Sequence, residues 1–195
     1  MNPPPGNELT RAQAQRHFES YLAALGLDVR DAELKGTPAR VAEMMEKLLA
    51  GHDPANAPKL TPIANADPSA GLVLVRDLPF YSLCVHHVLP FFGVAHIGYL
   101  PSDRLAGLGD LVKVVTYFSN RLTVQERLTT DVAQYIERGL AARGVAVLLE
   151  GRHLCLEMRG QEKEAFFETS AFRGELAEEK RRFEFLSRIR RDGAA

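Results

Sequence analysis

The chain has 195 residues, 46% of them hydrophobic and 25% charged, which suits one globular domain with a helical extension. Its 24 basic and 25 acidic residues leave a formal net charge of −1, so no global basic excess holds a nucleic-acid backbone, and any anionic ligand must be met by a local cluster of Arg and Lys. Apolar runs of about five residues fall far short of the ~20 that a membrane-spanning helix needs, and the start Met1–Gly6 lacks the basic-then-apolar pattern of a secretory signal, which predicts a cytoplasmic location without a membrane partner.

Thr10 and Gln13 fit a capping box, and Phe18, Tyr21, Leu22 and Leu25 follow at helical spacing before Gly26. Thr37-Pro38 predicts a second helix start, with Val41, Met44, Met45, Leu48 and Leu49 as its apolar stripe and Gly51 as its end. Pro54, Pro58, Pro62 and Pro68 mark residues 52–70 as a connecting loop. Residues 72–77 alternate as a strand, and the stretch from Phe91 to Leu100 reads as a second. The period then changes to helical: Leu108, Leu111, Val112 and Val115, followed by Leu128, Val132, Ile136 and Leu140 between Thr123 and Gly144. Residues 145–158 return to a strand pattern, with 164–172 as a hairpin partner across Gly160. A charged segment, Glu175 to Arg191, closes as an amphipathic helix carrying Phe183, Leu186 and Ile189. The order α-α-loop-β-β-α-α-β-β-α predicts an α+β fold, an antiparallel sheet with helices on one face. It divides the chain into a disordered tail (residues 1–9), an N-terminal helical region and linker (10–70), and a main body (71–195).

Both cysteines and three of the six histidines fall in two short motifs, Cys84-Val85-His86-His87 and His153-Leu154-Cys155. Two cysteines are too few for a disulfide framework. The C-x2-H spacing lets one turn aim Cys84 and His87 at one ion, and in a strand His153 and Cys155 share a face, with Leu154, Leu156 and Met158 turned to the core. Zinc suits thiolate with imidazole. Cys84, His87 and Cys155 make three ligands and leave a fourth position for water, the pattern of a catalytic site. His86 and His153 then stand beside the ion as proton-transfer groups. A buried cysteine taken alone is also simply a small hydrophobe. His96 reads as a structural histidine, and His17 and His52 as surface residues.

Gln125 and Glu126 set a carboxamide beside a carboxylate, a pair able to read a purine or pterin edge, while Thr123 and Glu126 equally fit a capping box. Arg159, just past the H-x-C motif, and Arg40, on the second helix, are phosphate candidates. The arginines near the C-terminus are interleaved with acids upstream and read as a solvated face or subunit contact.

Taken together, C-x-H-H, V-Q-E-R-L-T and H-x-C-x-x-x-R-G resemble GTP cyclohydrolase I, the zinc enzyme that begins pteridine synthesis. Thr37-Pro38-Ala39-Arg40-Val41-Ala42, His96-Ile97-Gly98-Tyr99-Leu100-Pro101, Thr169-Ser170 with Gly174, and Arg182-Phe183-Glu184-Phe185-Leu186 extend the likeness over roughly residues 15–190. The resemblance implies the tunnelling fold for residues 71–195 and a toroidal homodecamer with active sites at subunit interfaces. It implies zinc on Cys84, His87 and Cys155, Gln125 and Glu126 on the guanine edge, and His86 with His153 as the acid/base pair. The implied reaction adds zinc-bound water to C8 of GTP, releases formate and forms 7,8-dihydroneopterin triphosphate.

The likeness departs at two places. One departure is at a helix start, where the family has G-L-S-K-x-x-R and this chain reads Gly107-Leu108-Gly109-Asp110-Leu111-Val112-Lys113; Val85, where the family has glutamate, is another. Lys113 keeps a charge without the fork of arginine, and an aspartate near a triphosphate repels it. Either other cations compensate, or the substrate is a guanine compound with fewer phosphates. A non-catalytic purine or pterin binder, and a thiol-nucleophile enzyme of the nitrile reductase kind, are the readings from other classes.

Overall fold

The computed structural model describes residues 11–67, 71–159 and 165–189. The N-terminal helices are α1 (Arg11–Ala24) and α2 (Thr37–Leu48), packed on each other. Thr10 of the expected capping pair and the tail 1–9 lie outside the described residues. Gly26, at φ +81°, turns the chain out of α1. Gly36 caps α2, and Thr37 is already helical. The expected stripes are only partly buried: Leu22 is covered and Val41, Met45, Leu48 and Leu49 are half-buried, whereas Tyr21, Leu25 and Met44 are exposed, and α2 buries Ala42 outside its expected stripe.

Helix α2 ends at Leu48, before the glycine expected to end it. Gly51 instead sits in a 3-10 turn pressed against the end of the first central helix, where an added Cβ meets the Tyr117 carbonyl oxygen at 1.9 Å and that of Asn120 at 2.8 Å. Backbone cannot give way as a side chain does. Gly51→Ala is therefore expected to destabilise the fold by about 3 kcal/mol, the upper range for overpacking, read from the midpoint of urea unfolding at unchanged slope. His52 is part of the same joint, its Nε2 accepting the Leu122 N–H at 2.9 Å, so it is not the free surface histidine expected, while His17 is exposed.

The short strands β1 (Ile63–Ala64) and β4 (Arg104–Leu105) pair with each other. The main sheet has β2 (Val73–Cys84), β3 (Pro90–Leu100), β5 (Leu122–Thr123), β6 (Gly144–His153) and β7 (Phe167–Gly174), in the order β5-β2-β3-β6-β7. All neighbours are antiparallel except the short parallel pair β2 with β5. Strand β2 runs seven residues past the expected end because Asp77, at φ +58°, forms a bulge that shifts the register between Val75 and Leu78 and interrupts the alternation. The Asp77 N–H donates to His96 Nδ1 at 3.3 Å and His96 Nε2 lies 3.3 Å from Glu150, the satisfied structural histidine expected.

Helices α3 (Leu108–Ser119) and α4 (Gln125–Leu140) cover one face of the sheet. Leu128, Val132, Ile136 and Leu140 are each buried, and burial of such side chains contributes about 1.5–3 kcal/mol apiece. The closing helix α6 (Glu179–Ile189) packs on the opposite face through Phe185, buried with Leu72, Leu100, Ala146 and Leu148. Phe183, expected in its stripe, is 72% exposed. Beyond β6 the expected strand to residue 158 does not continue: Leu154–Glu157 form one helical turn, α5.

Candidate metal centre

Topology gathers three segments at one end of the sheet. Cys84 ends β2 and pairs with Thr123 of β5, which leads directly into α4. Phe91, at the start of β3, lies opposite His153, the last residue of β6. The β2–β3 loop, the start of α4 and the β6–α5 junction therefore converge.

Within the loop, the Val88 N–H donates to the Cys84 carbonyl at 2.8 Å and the Cys84 N–H to the Leu89 carbonyl at 2.9 Å. Val88 adopts φ +55°, a strained conformation for a β-branched residue. The turn folds His87 back on Cys84, with Nδ1 at 3.9 Å from Sγ, and His86 Nδ1 lies 4.0 Å from the same sulfur. Cys155 comes from α5. The ligand atoms of Cys84, His87 and Cys155 all lie within 4.8 Å of one another. Tetrahedral zinc with Zn–S ~2.3 Å and Zn–N ~2.0 Å sets its donors about 3.6 Å apart, so the donor set and its spacing fit that ion after a small contraction. Burial, then the neighbouring Cys84 thiol, pushes the Cys155 thiol above its ordinary range, so metal binding must displace its proton. The H-x-C pair meets as expected, but on a helical turn: Leu156 lines the cavity and Met158 is exposed instead of facing the core.

Gln125 is fully buried. Its Nε2 faces three acceptors, the Phe167 carbonyl at 2.8 Å, the Leu149 carbonyl at 3.1 Å and Thr169 Oγ1 at 3.1 Å. That fixes the amide orientation and turns Oε1 toward His153 Nε2 at 3.0 Å. Because Oε1 only accepts, His153 carries its proton on Nε2. The Gln125 carboxamide is thus bonded within the chain and orients His153, while it also lines the cavity beside Glu126. Thr129 supports it, donating to the Gln125 carbonyl at 2.7 Å and sharing a 2.7 Å hydrogen bond with Thr169. Phe91 stacks on the His153 ring at 4.9 Å, and Phe167 meets it edge-on at 5.4 Å. Burial holds the His153 pKa below the ordinary imidazole value, against the pull of Glu126 and Glu157. Phe91 and Phe167 carry no local sequence signal; only strand register brings them here.

These groups line a cavity of about 300 Å³ that also includes Val124, Glu126 and Ala165. Glu126 is exposed there and no capping box forms: Val124 is the N-cap without a side-chain bond, because Thr123 is drawn into β5. A larger groove of about 660 Å³ along α4 contains none of the candidate ligands.

The expected phosphate contacts do not join the cavity of a single chain. Exposed Arg40 donates to Thr37 Oγ1 at 2.8 Å, and Lys113 pairs with Asp110 at 3.1 Å. Arg159 is exposed, though its charge is felt at Cys155. Asp110 is an internal anchor instead of a free repulsive charge: its side chain is 12% exposed and accepts the Thr61 N–H at 2.9 Å. That N–H, then Lys113, lowers the Asp110 pKa. The stabilisation is complete above the ordinary aspartate range near ~3.9 and is lost as pH falls through the lowered folded value. Asp110→Ala is expected to lower Tm at neutral pH, with the difference from the parent closing in acid, as followed by circular dichroism melts.

The family described as GTP cyclohydrolase I matches residues 14–190. A relative named GTP cyclohydrolase 1 from Porphyromonas gingivalis is 40% identical over 181 residues, covering 92% of this chain and 94% of its own. Another of that name, from Deinococcus radiodurans, is 43% identical over 171 residues, covering 87% and 79%. A third, from Sulfurihydrogenibium sp., is 43% identical over 183 residues, covering 93% and 96%.

Proposed function

The chain belongs to the GTP cyclohydrolase I family, and we propose that it hydrolyses GTP at C8 of the guanine, releasing formate and forming 7,8-dihydroneopterin triphosphate. The carrying observation is the meeting of Cys84, His87 and Cys155 with the buried Gln125–His153 pair in one cavity.

In this reading Cys84, His87 and Cys155 hold zinc. Bound there, the ion supplies a Lewis acid that makes water nucleophilic near neutral pH. The chain's own groups do the remaining work. Glu126 accepts the N–H donors of the guanine edge. Gln125 fixes the His153 ring, engaging Nε2 and leaving Nδ1 to take up a proton and pass it to guanine N7. Protonation at N7 makes C8 electrophilic. His86, beside the Cys84 sulfur, is the second proton-transfer group. The apolar rings of Phe91 and Phe167 keep His153 from rotating out of line.

Arg159, Arg40 and Lys113 bind the triphosphate, with Arg40 and Lys113 supplied by a neighbouring copy in a homo-oligomer, a decamer by family likeness. The support is that no Lys or Arg lines the cavity among the described residues. No helix among the described residues is long and apolar enough to cross a membrane; a cytoplasmic place follows from the biosynthetic role.

Formate release from GTP, GDP, GMP and guanosine in parallel tests the reading and its substrate. GTP is expected to be turned over fastest, and activity to vanish on chelation and return with Zn²⁺. No formate from any of the four overturns it.

A further inference from the structure

We propose that the Arg152–Glu157 ion pair is a positioning device that sets the Cys155 thiol for metal binding. The proposal rests on the reading of Cys84, His87 and Cys155 as metal ligands.

Arg152 is the next-to-last residue of β6 and Glu157 the last of α5. Between them lie His153, Leu154, Cys155 and Leu156. Arg152 Nε donates to Glu157 Oε1 at 3.0 Å and Nη2 to Oε2 at 2.6 Å, a two-pronged contact that fixes both distance and plane. The Glu157 side chain is only 10% exposed and that of Arg152 36%.

The turn needs such a fastening. A single helical turn does not hold itself together in water, because nucleation fixes several residues for one hydrogen bond. Here that bond runs from the Met158 N–H to the Leu154 carbonyl at 2.9 Å. His153, the N-cap, makes no side-chain capping bond, and no residue of α5 is buried. Capping does not explain why Leu154–Glu157 leaves the strand path, and the half-burial of Cys155 against the core does not fix where the far end of the turn sits. The fork does: it ties the far end of the turn to the strand residue before it, and thereby fixes where Cys155 points relative to Cys84 and His87. Groups beyond the ligands that orient them set metal affinity by about 10–100-fold in comparable sites.

The test uses the full-length protein, stripped of metal by a chelator and titrated with Zn²⁺ against a chromophoric competitor. Glu157→Gln keeps the side-chain shape and removes the charge. It is expected to weaken Zn²⁺ binding about tenfold, with little change in the melting temperature of the metal-free protein. Arg152→Lys keeps the charge and loses the fork, and is expected to weaken binding by a smaller factor; it decides the matter alone if Glu157→Gln does not fold. Zn²⁺ affinity equal to that of the parent in the folded variants overturns the clamp alone, as does a drop in metal-free melting temperature with affinity unchanged. A parent protein that binds no Zn²⁺ overturns the metal centre and the clamp with it.

Discussion

Cys84→Ser is expected to purify without zinc and to lose formate release by well over a hundredfold. Serine is nearly the same size, and the backbone at this position stays anchored, since the Cys84 N–H donates to Leu89 and its carbonyl accepts from Val88. The substitution therefore spares the loop and removes only the donor. A hydroxyl does not ionise near neutral pH as a thiol beside a metal does, so it cannot replace the soft anionic ligand. Removing a residue that merely orients a ligand costs about 10–100-fold in affinity or activity, and losing the ligand itself costs more. Metal content of the purified variant and its formate yield from GTP measure the effect; stoichiometric zinc with undiminished turnover would show that Cys84 is not a ligand.

His153→Ala is expected to keep its zinc and lose about 100- to 10,000-fold in turnover, the range for a lost general acid or base. His153 is held more tightly than its role in packing requires. Gln125 fixes the tautomer, Phe91 stacks on the ring face and Phe167 closes its edge. Such restraint suits a group that must deliver a proton at one atom. The two substitutions separate functions that adjoin in the cavity though not in the sequence: one removes the metal, the other leaves the metal and removes the proton path. Zinc content near that of the parent together with parental turnover in His153→Ala would remove His153 from the mechanism. Loss of zinc in that variant would make it a structural part of the centre.

Much of this protein is written in short-range pattern. Leu128, Val132, Ile136 and Leu140 recur every four residues and are buried on one face of α4, because a helix repeats its face at that interval. Cys84 and His87 are close enough in the chain that one turn can bring them together. Their partnership with the H-x-C motif is legible from composition as well, since that pairing uses every cysteine the chain has. The local shape behind that motif was not legible: a strand path was expected and a helical turn is present, because α5 depends on an ion pair between Arg152 and Glu157 that spacing does not reveal.

Other assignments needed the folded chain for a plain physical reason: the partner of a side chain is chosen by strand register and burial, which are long-range. Gln125 beside Glu126 looks like a pair for reading a base, and only the fold shows that β6 and β7 supply carbonyls that hold its amide and turn its oxygen to His153. Asp110 looks like a charge set against phosphate, yet Thr61, far away in the linker, takes its carboxylate inward. Phe91 is ordinary until β3 aligns it opposite His153. Residue types and local spacing name the donors and the helical faces. Which atoms those donors meet is decided only when the sheet closes and water is excluded between segments that the chain keeps apart.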